Sequence, residues 1–233
     1  MTDDEAVAIY QPIRAAIVPI TRMAMKDVYR LDLQRAAKQI GLWSNGRIVV
    51  GDDNTETEMI MDVALFEANQ RGVRPFDRFL EKRGPTMPNE QRALAERMAR
   101  ARFSLFHVRG KHKARGLELT DLLYGHQDVW LMDMQVDRHV AAGLVIGMRV
   151  FDAGPFHVGF GIVTQPDDDT INATVRLMET EGRTPFRYPL SATLYADSLR
   201  GKAGPDDDED LLETLTRILA SVEESKGKRK PGR

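Results

Sequence analysis

The sequence predicts a mixed α+β protein with a helical N-terminal part, a small antiparallel β-barrel or sandwich in the middle and a helical C-terminal part. Helical patterns fill the first hundred residues and return after residue 166. Between them the apolar period shortens to that of strands, and glycine turns separate the segments. The chain has 233 residues, of which 42% are hydrophobic and 29% charged, so wholesale disorder is excluded.

The first two helices are predicted from their internal and terminal signals. Residues 6–20 are rich in apolar side chains, but Pro12 and Pro19 interrupt them, which predicts a short or kinked helix. A second helix is predicted from about residue 32 to Ile40. It should end at Gly41, because glycine tolerates the positive φ of a helix C-cap.

A tight turn and a short strand are predicted next. Asn45-Gly46 favours the turn, and residues 47–50 have strand composition. Thr55 and Glu58 have the spacing of a capping box, which predicts that the following helix starts at Thr55. Further helices are predicted at residues 75–80 and from residue 89 to about residue 102.

The middle of the chain contains five short apolar segments within about 60 residues, at roughly the 8–12-residue spacing of small barrels and sandwiches. These segments are residues 103–108, 117–119, 129–131, 144–151 and 156–163. In the last of them, the glycines of Gly159-Phe160-Gly161 favour a bend at a barrel corner over a nucleotide contact.

The C-terminal part returns to a helical pattern. Thr170 is predicted to cap a helix to residue 181, Ser191 one to residue 199, and Pro205 to begin a last helix that ends near residue 224. The predicted organisation is a helical region (residues 1–101), a β-barrel-like module (102–166), a helical C-terminal region (167–225) and a disordered basic tail (226–233).

Location follows from the terminus and the hydropathy. No stretch approaches the roughly 20 apolar residues of a membrane helix. The acidic start MTDDEAVAIY is unlike a signal peptide. We therefore expect a cytoplasmic protein that does not contact a membrane.

Charge is spread unevenly, although the formal net charge is only −2. Residues 71–115 carry 13 Lys and Arg against 4 Asp and Glu, and both flanking regions are acidic. Between Arg97 and Arg115 there is no acid at all. The basic residues here run from a predicted helix into the first predicted hairpin: Arg92, Arg97, Arg100, Arg102, Arg109, Lys111, Lys113 and Arg115.

This basic stretch supports one of two readings. A basic barrel entrance could follow a phosphate backbone while Phe106, His107 or Trp130 stacks on bases, so RNA or DNA is a candidate partner. Alternatively, the arginines form a solvated helix face that pairs with the acidic first helices. The sequence pI near 6.2 is below that of a dedicated nucleic-acid domain.

Several chemistries lack their sequence signatures. The chain has no Cys, which excludes disulfides, thiolate zinc sites and Cys nucleophiles. It contains no phosphate-binding loop, no Gly-x-Ser-x-Gly elbow and no His-Glu-x-x-His motif. The acidic runs at residues 52–54, 167–169 and 206–210 lack calcium-loop spacing and precede predicted helices, where acids offset the helix dipole. No cofactor, metal site or catalytic residue is predicted.

An enzyme remains a third hypothesis. His107 and His157 could meet across the predicted barrel and bind a metal together with Asp133 or Asp137. The alternative is that both histidines are ordinary strand residues of intermediate polarity.

The middle segment also carries a resemblance. Its strand phrases are FSLFHV from Phe103, LELTDLL from Leu117, VWL from Val129 and LVIGMRV from Leu144. These resemble the small β module of uncharacterised bacterial proteins, some of which also carry a SecA-C-terminal-type zinc motif. The stretches at residues 36–42 and 62–67 are similar to the helical lead-in of a bacterial family of unknown function.

The resemblance spans about residues 32–165 and implies a fold without implying catalytic residues. Because the chain has no Cys, the zinc motif is absent, and any role that depends on that motif does not transfer.

The first functional hypothesis is therefore a non-catalytic binding or adaptor module with a protein partner, and the alternative is nucleic-acid binding through residues 92–115. An adaptor should lose its partner when an exposed apolar patch is altered, whereas nucleic-acid binding should depend steeply on salt. The sequence leaves the oligomeric state open, because an amphipathic stripe packs equally well on its own chain or on a copy.

Overall fold

The computed structural model describes residues 1–51, 54–134, 136 and 140–199, together with the backbone of a strand at residues 209–210. The predicted α+β class, with N- and C-terminal helices and a central five-stranded sheet, is confirmed. The described helices are α1 (Asp3–Met25), α2 (Arg30–Ile40), α3 (Thr55–Phe66), α4 (Pro75–Arg83), α5 (Asn89–Ala99), α6 (Asp168–Glu181) and α7 (Leu190–Leu199).

The continuity of the first helix and the N-cap of α3 differ from the predictions. The first helix, α1, is one continuous 23-residue helix that contains both Pro12 and Pro19. Both prolines are on the exposed side of the helix. A missing N–H costs least there, because carbonyl groups on the solvent side can hydrogen-bond to water. Helix α3 has Asn54 rather than Thr55 at its N-cap, with φ of 58°, and its side chain makes no capping hydrogen bond.

The end signals of α2 are confirmed. Gly41 ends this helix with φ of 85°, and Asn45 and Gly46 both have positive φ in the turn that follows. The turn joins β1 (Trp43–Ser44) to β2 (Arg47–Val50), and β2 pairs on its other side with β8 (Glu209–Asp210). Local backbone preference therefore predicts this region correctly.

The five predicted strands are all present, as β3 (Arg102–Lys111), β4 (Leu117–Asp121), β5 (Asp128–Leu131), β6 (Val145–Asp152) and β7 (His157–Thr164). They pair in the order β3-β4-β5-β7-β6, and β6 pairs back to β3, so the sheet closes on itself. One pair, β5 with β7, is parallel, contrary to the all-antiparallel expectation. The reason is geometric, because strand direction cannot alternate around a closed ring with an odd number of strands.

The closed sheet encloses an apolar interior, and helices cover much of its outside. Alternate residues of each strand point inward, as the two-residue period requires. The buried interior residues are Phe106, Val108, Leu117, Leu119, Val129, Leu131, Ile146, Met148 and Val150. A second apolar layer joins α2, α3 and α7 to the sheet, and a third joins α1, α4 and α5 to it.

Some predictions fall outside the described residues. These are the last helix from Pro205 to about residue 224, the basic tail 226–233, and the side chain of Asp137.

Candidate functional site

The predicted basic stretch lies on α5, β3 and the β3–β4 hairpin, and most of its arginines meet acids from elsewhere in the chain. Only one of these partners is a neighbour in sequence. The sequence therefore does not show that the arginine charges are neutralised. The pairs, with N–O distances, are Arg92–Glu96 (2.8 Å), Arg97–Asp152 (3.7 Å), Arg102–Asp121 (3.0 Å), Arg109–Asp128 (2.9 Å) and Arg115–Asp3 (2.8 Å).

The same stretch divides into two groups. Arg97, Arg100 and Arg102 lie around the start of β3, whereas Arg109 and the residues after it lie at the far end. Seven residues of strand separate Arg102 from Arg109, or about 23 Å. The exposed cations without a carboxylate partner in the described part of the chain are Arg100, in the first group, and Lys113, in the second. Lys111 is also exposed, in the second group.

The hairpin end carries an aromatic stack. The His112 and Trp130 rings lie 3.9 Å apart at an angle of 21°, and Trp130 Nε1 donates to the Arg115 carbonyl at 2.8 Å. His112 Nδ1 accepts from the backbone N–H of Ala114 at 3.2 Å. Burial, helped by the nearby Lys113 cation, lowers the pKa of His112 although Glu118 opposes it. The neutral ring, with its proton on Nε2, therefore lies against Trp130 with exposed cations beside it.

The opposite end of the closed sheet holds a buried carboxylate. Asp121 accepts hydrogen bonds from Arg102, from Ser104 Oγ at 2.5 Å and from the backbone N–H groups of Leu123 and Tyr124. Four donors hold the carboxylate in one orientation, which suits a structural role at the β4–β5 turn.

The histidines of the enzyme hypothesis are not brought together. His107 pairs with Val145 at the start of β6, whereas His157 pairs with Asp152 at its end, about 23 Å away along the strand. Burial lowers the pKa of His157 against the nearby Asp152 carboxylate. Within the described residues, no three His, Asp or Glu side chains are grouped as a metal site would need.

Sequence reasoning missed a buried ion network between α3, β6 and α7. Arg149 Nε donates to Asp62 Oδ1 at 2.9 Å, and its Nη2 donates to Glu67 Oε1 at 2.5 Å. Tyr195 Oη donates to Asp62 at 3.1 Å, and Ser191 Oγ donates to Glu67 at 2.8 Å. Ser191 is thus inside the network, although it was predicted to be a helix cap.

The pKa values of Asp62 and Arg149 are both raised, for different reasons. Burial raises the pKa of Asp62, although Arg149 opposes that shift. Burial alone would lower the pKa of Arg149, but Asp62 and Glu67 outweigh it and raise the pKa. The sequence did hold a signal, since Asp62 and Arg149 each interrupt an otherwise apolar run, MIMDVALF and VIGMRVF.

An apolar group is exposed where α2 begins. The side chains of Leu31, Tyr29 and Val73 are 76%, 62% and 42% exposed. Asp32 connects the two segments, because its carboxylate accepts from Tyr29 N at 3.4 Å and from Asn69 Nδ2 at 3.5 Å. Asn69 Oδ1 in turn accepts from Val73 N at 3.3 Å. We call Tyr29, Leu31 and Val73, with the adjoining α4, the α2–α4 surface.

Basic side chains lie beside this group. The Arg78 guanidinium stacks 4.0 Å above the Tyr29 ring and donates to Asp32 at 3.2 Å. Lys82 and Arg83 both pair with the buried Asp27, at 2.6 and 3.1 Å. The lysine and arginine pairs hold the pKa of Asp27 below its usual value, against the opposing effect of burial.

The fold and these sites define a class: an α+β protein whose closed sheet packs against helices and whose described surface offers mixed-charge and apolar patches. A family of unknown function (DUF7986) matches residues 4–177, which is most of the chain, and the protein belongs to that family. The match ends inside α6, so Ser191 and Tyr195 of the ion network lie beyond it.

Neither the search of curated proteins nor the search of solved structures found a match. Among the described residues, no helix has the length and apolar character needed to cross a membrane.

Proposed function

We propose that this chain is a non-catalytic binding protein of the bacterial cytoplasm that captures a partner protein through the α2–α4 surface. Bacterial origin rests on the sequence resemblance. The observation that carries the binding proposal is Leu31, a large aliphatic side chain that is 76% exposed. It follows the exposed Tyr29 by two residues, and hydrogen bonds through Asp32 and Asn69 connect Tyr29 to the exposed Val73. Grouped apolar side chains on a rigid surface are typical of protein interaction sites.

The backbone under this surface is held in place before any partner binds. Asp32 and Asn69 form a chain of hydrogen bonds from Tyr29 to Val73, and Arg35 donates to the carbonyls of Glu67 and Ala68. A preorganised surface loses little conformational entropy on association. Tyrosine and arginine, here Tyr29 and Arg78, are the residue types that contribute most to binding energy in many interfaces.

Charge favours an acidic rim on the partner. Residues 71–83 carry five Lys and Arg against two Asp and Glu. Arg30 and Arg71 are exposed and meet no carboxylate in the described residues. A partner with an aliphatic group at its centre and carboxylates around it would complement this surface in both respects.

The test is quantitative partner capture with Leu31→Ser and a matched control, Val18→Ser. Val18 is also aliphatic and exposed, to 46%, but lies on α1. We expect Leu31→Ser to lose a specific partner that Val18→Ser and the parent chain retain, with little effect of added salt. Equal retention by both variants would contradict the proposal.

A second candidate function is nucleic-acid binding through residues 92–115. The observation that favours it is the His112–Trp130 stack beside the exposed Lys111 and Lys113, because aromatic rings next to cations can take up single-stranded bases. Against it, most arginines of the stretch are already paired with carboxylates.

Fluorescence anisotropy with labelled single-stranded RNA and mixed DNA, from about 20 to 300 mM salt, tests this candidate. The control is a variant with Arg109, Lys111, Lys113 and Arg115 changed to Ser. Salt-sensitive binding that this variant loses would establish the function, and flat traces would remove it.

A further inference from the structure

The outer face of α1 is apolar for three turns. The inner face packs on the core through Ala6, Tyr10, Ile17, Ile20 and Ala24. The exposed residues from 8 to 19 are Ala8, Ile9, Gln11, Pro12, Ala15, Val18 and Pro19, and none of them is charged. Ile9 and Val18 are 39% and 46% exposed. A helix that packs on one side of a globular protein normally presents a polar outer face.

The one charged residue between Glu5 and Arg22 does not alter this face. Arg14 is half-buried, and its guanidinium lies against Gly161 of β7. Pro12 and Pro19 lie on the solvent side of α1, where a helix tolerates prolines best. This tolerance does not explain Val18, an aliphatic side chain that remains 46% exposed on the same face.

We propose that this face of α1 binds the same face of a second copy of the chain, with the two helices antiparallel. Charge favours this occupant, because the apolar face has acids at one end and a base at the other. Asp4 and Glu5 precede it and Arg22 follows it, and all three are exposed. An antiparallel pair places the acidic end of each helix against the basic end of the other, whereas a parallel pair would oppose like charges.

The apolar side chains fit the same register. Asp4, Ala8, Gln11, Ala15, Val18 and Arg22 lie on one stripe of the outer face, because they are three or four residues apart. When the level of residue 13 lies at the two-fold axis, Val18 of one copy lies opposite Ala8 of the other, and Ala15 lies opposite Gln11. The same register brings Asp4 opposite Arg22. Within the described residues Arg22 meets no carboxylate, so this contact would supply its ion pair. One register therefore satisfies both the apolar and the charged groups.

The face is short, which sets the expected strength. Ala8 and Pro19 are eleven residues apart, or about 17 Å along the helix at about 1.5 Å per residue. A contact of this length belongs to the small end of specific interfaces, near or below about 1,200 Å² in total. We therefore expect a dimer that dissociates on dilution in the micromolar range.

The experiment is sedimentation velocity of the full chain from about 1 to 200 µM, since mass action shifts a weak dimer with concentration. We expect the mass to rise from 26.3 kDa toward twice that value. Val18→Ser should raise the dissociation constant about tenfold, because symmetry places each substitution in the interface twice. Leu31→Ser, outside the face, should leave it unchanged.

A charge exchange tests the antiparallel register. Arg22→Glu opposes Asp4 and Glu5 of the other copy and should weaken the dimer, and Asp4→Lys combined with Arg22→Glu should restore it. Circular dichroism of each variant confirms that it is folded. A monomer at every concentration, or a dimer that none of these substitutions weakens, would overturn the proposal. Because Leu31 and Val18 lie on different surfaces, this result is independent of partner capture.

Discussion

The buried Arg149 side chain connects strand β6 to charged and aromatic side chains of helix α3 and its C-terminal end and of strand β3. It is 4% exposed, it donates to Asp62 and Glu67, and its guanidinium lies 5.2 and 5.8 Å from the Phe66 and Phe103 rings. A buried carboxylate destabilises the folded state unless it is paired. The free energy of unfolding therefore depends on the pairing of Asp62 with this cation.

Replacing Arg149 should be costly in a pH-dependent way. Arg149→Met leaves Asp62 and Glu67 without their cation and should lower the free energy of unfolding by about 3–5 kcal/mol at neutral pH. Burial raises the pKa of Asp62 and Arg149 opposes that shift, so without Arg149 the folded-state pKa of Asp62 rises further above the unfolded value. The deficit of the variant should therefore shrink as the pH falls from 7 toward 4.

Urea denaturation at several pH values measures this effect. Tyr195→Phe, which removes only one hydrogen bond to Asp62, is the milder control and should cost about 1–3 kcal/mol. A variant at Arg149 as stable as the parent chain at pH 7 would show that the network contributes little.

His112 should report its own protonation through Trp130. Burial lowers its pKa, and Nδ1 accepts from Ala114, so protonation breaks a hydrogen bond in the stack. Because the folded pKa lies below the unfolded value of about 6.5, this stabilisation is complete above pH 6.5 and is lost as the pH falls through the folded pKa.

Trp130 fluorescence in a Trp43→Phe background should titrate with a midpoint below 6.5, and the His112→Asn variant should show a flat profile. A midpoint at or above 6.5 would contradict the assignment of a neutral ring.

At the scale of elements, the β3–β4 hairpin depends on a close approach of two backbones. Gly116 has φ of 83°, and a Cβ on it would overlap the carbonyl oxygen of Leu131. Gly125, in the β4–β5 turn, has nearly the same φ of 80° but open space around it. A comparison of substitutions at these two positions therefore distinguishes the cost of backbone strain from the cost of steric overlap.

Alanine substitution at the two positions should therefore differ. Gly125→Ala introduces only left-handed strain and should cost about 1–2 kcal/mol. Gly116→Ala adds overlap with backbone and should cost a further 1–3 kcal/mol or so. Thermal unfolding of both variants measures the difference, and equal losses would show that β4 and β5 can separate locally at no cost.

At the scale of the whole molecule, the helices and the closed sheet share their core. α2, α3 and α7 pack on one side of the sheet, α1 and α5 pack on another, and the Arg149 network crosses the first boundary with ion pairs. Without the helices, the sheet would expose the apolar side chains that it buries against them. The helices and the sheet should therefore unfold together.

Coincident transitions test this coupling. Far-UV circular dichroism follows the helices, and Trp130 fluorescence in the Trp43→Phe background follows the sheet. The two urea midpoints should agree within error in this chain and separate in Arg149→Met. Separate midpoints in the parent chain would indicate that the predicted regions are independent domains.

The sequence by itself determined the features that local physics controls. Gly41 ends α2 and Asn45-Gly46 turns the chain, because positive φ is a property of single residues. The five strands of the sheet follow from apolar period and turn spacing. Membership of a family of unknown function also agrees with the resemblance noted from the strand phrases.

Only the tertiary structure decided which charges meet and which apolar groups stay in water. Arg102 finds Asp121 nineteen residues away, and Arg149 finds Asp62 eighty-seven residues away. Such pairings depend on which elements the closed sheet brings together, and neither composition nor periodicity contains that information. Nucleic-acid binding by the basic stretch at 92–115 therefore stays a prediction. The exposure of Leu31 and of the outer face of α1 becomes apparent only in the folded chain, because it depends on which helix faces pack against the core.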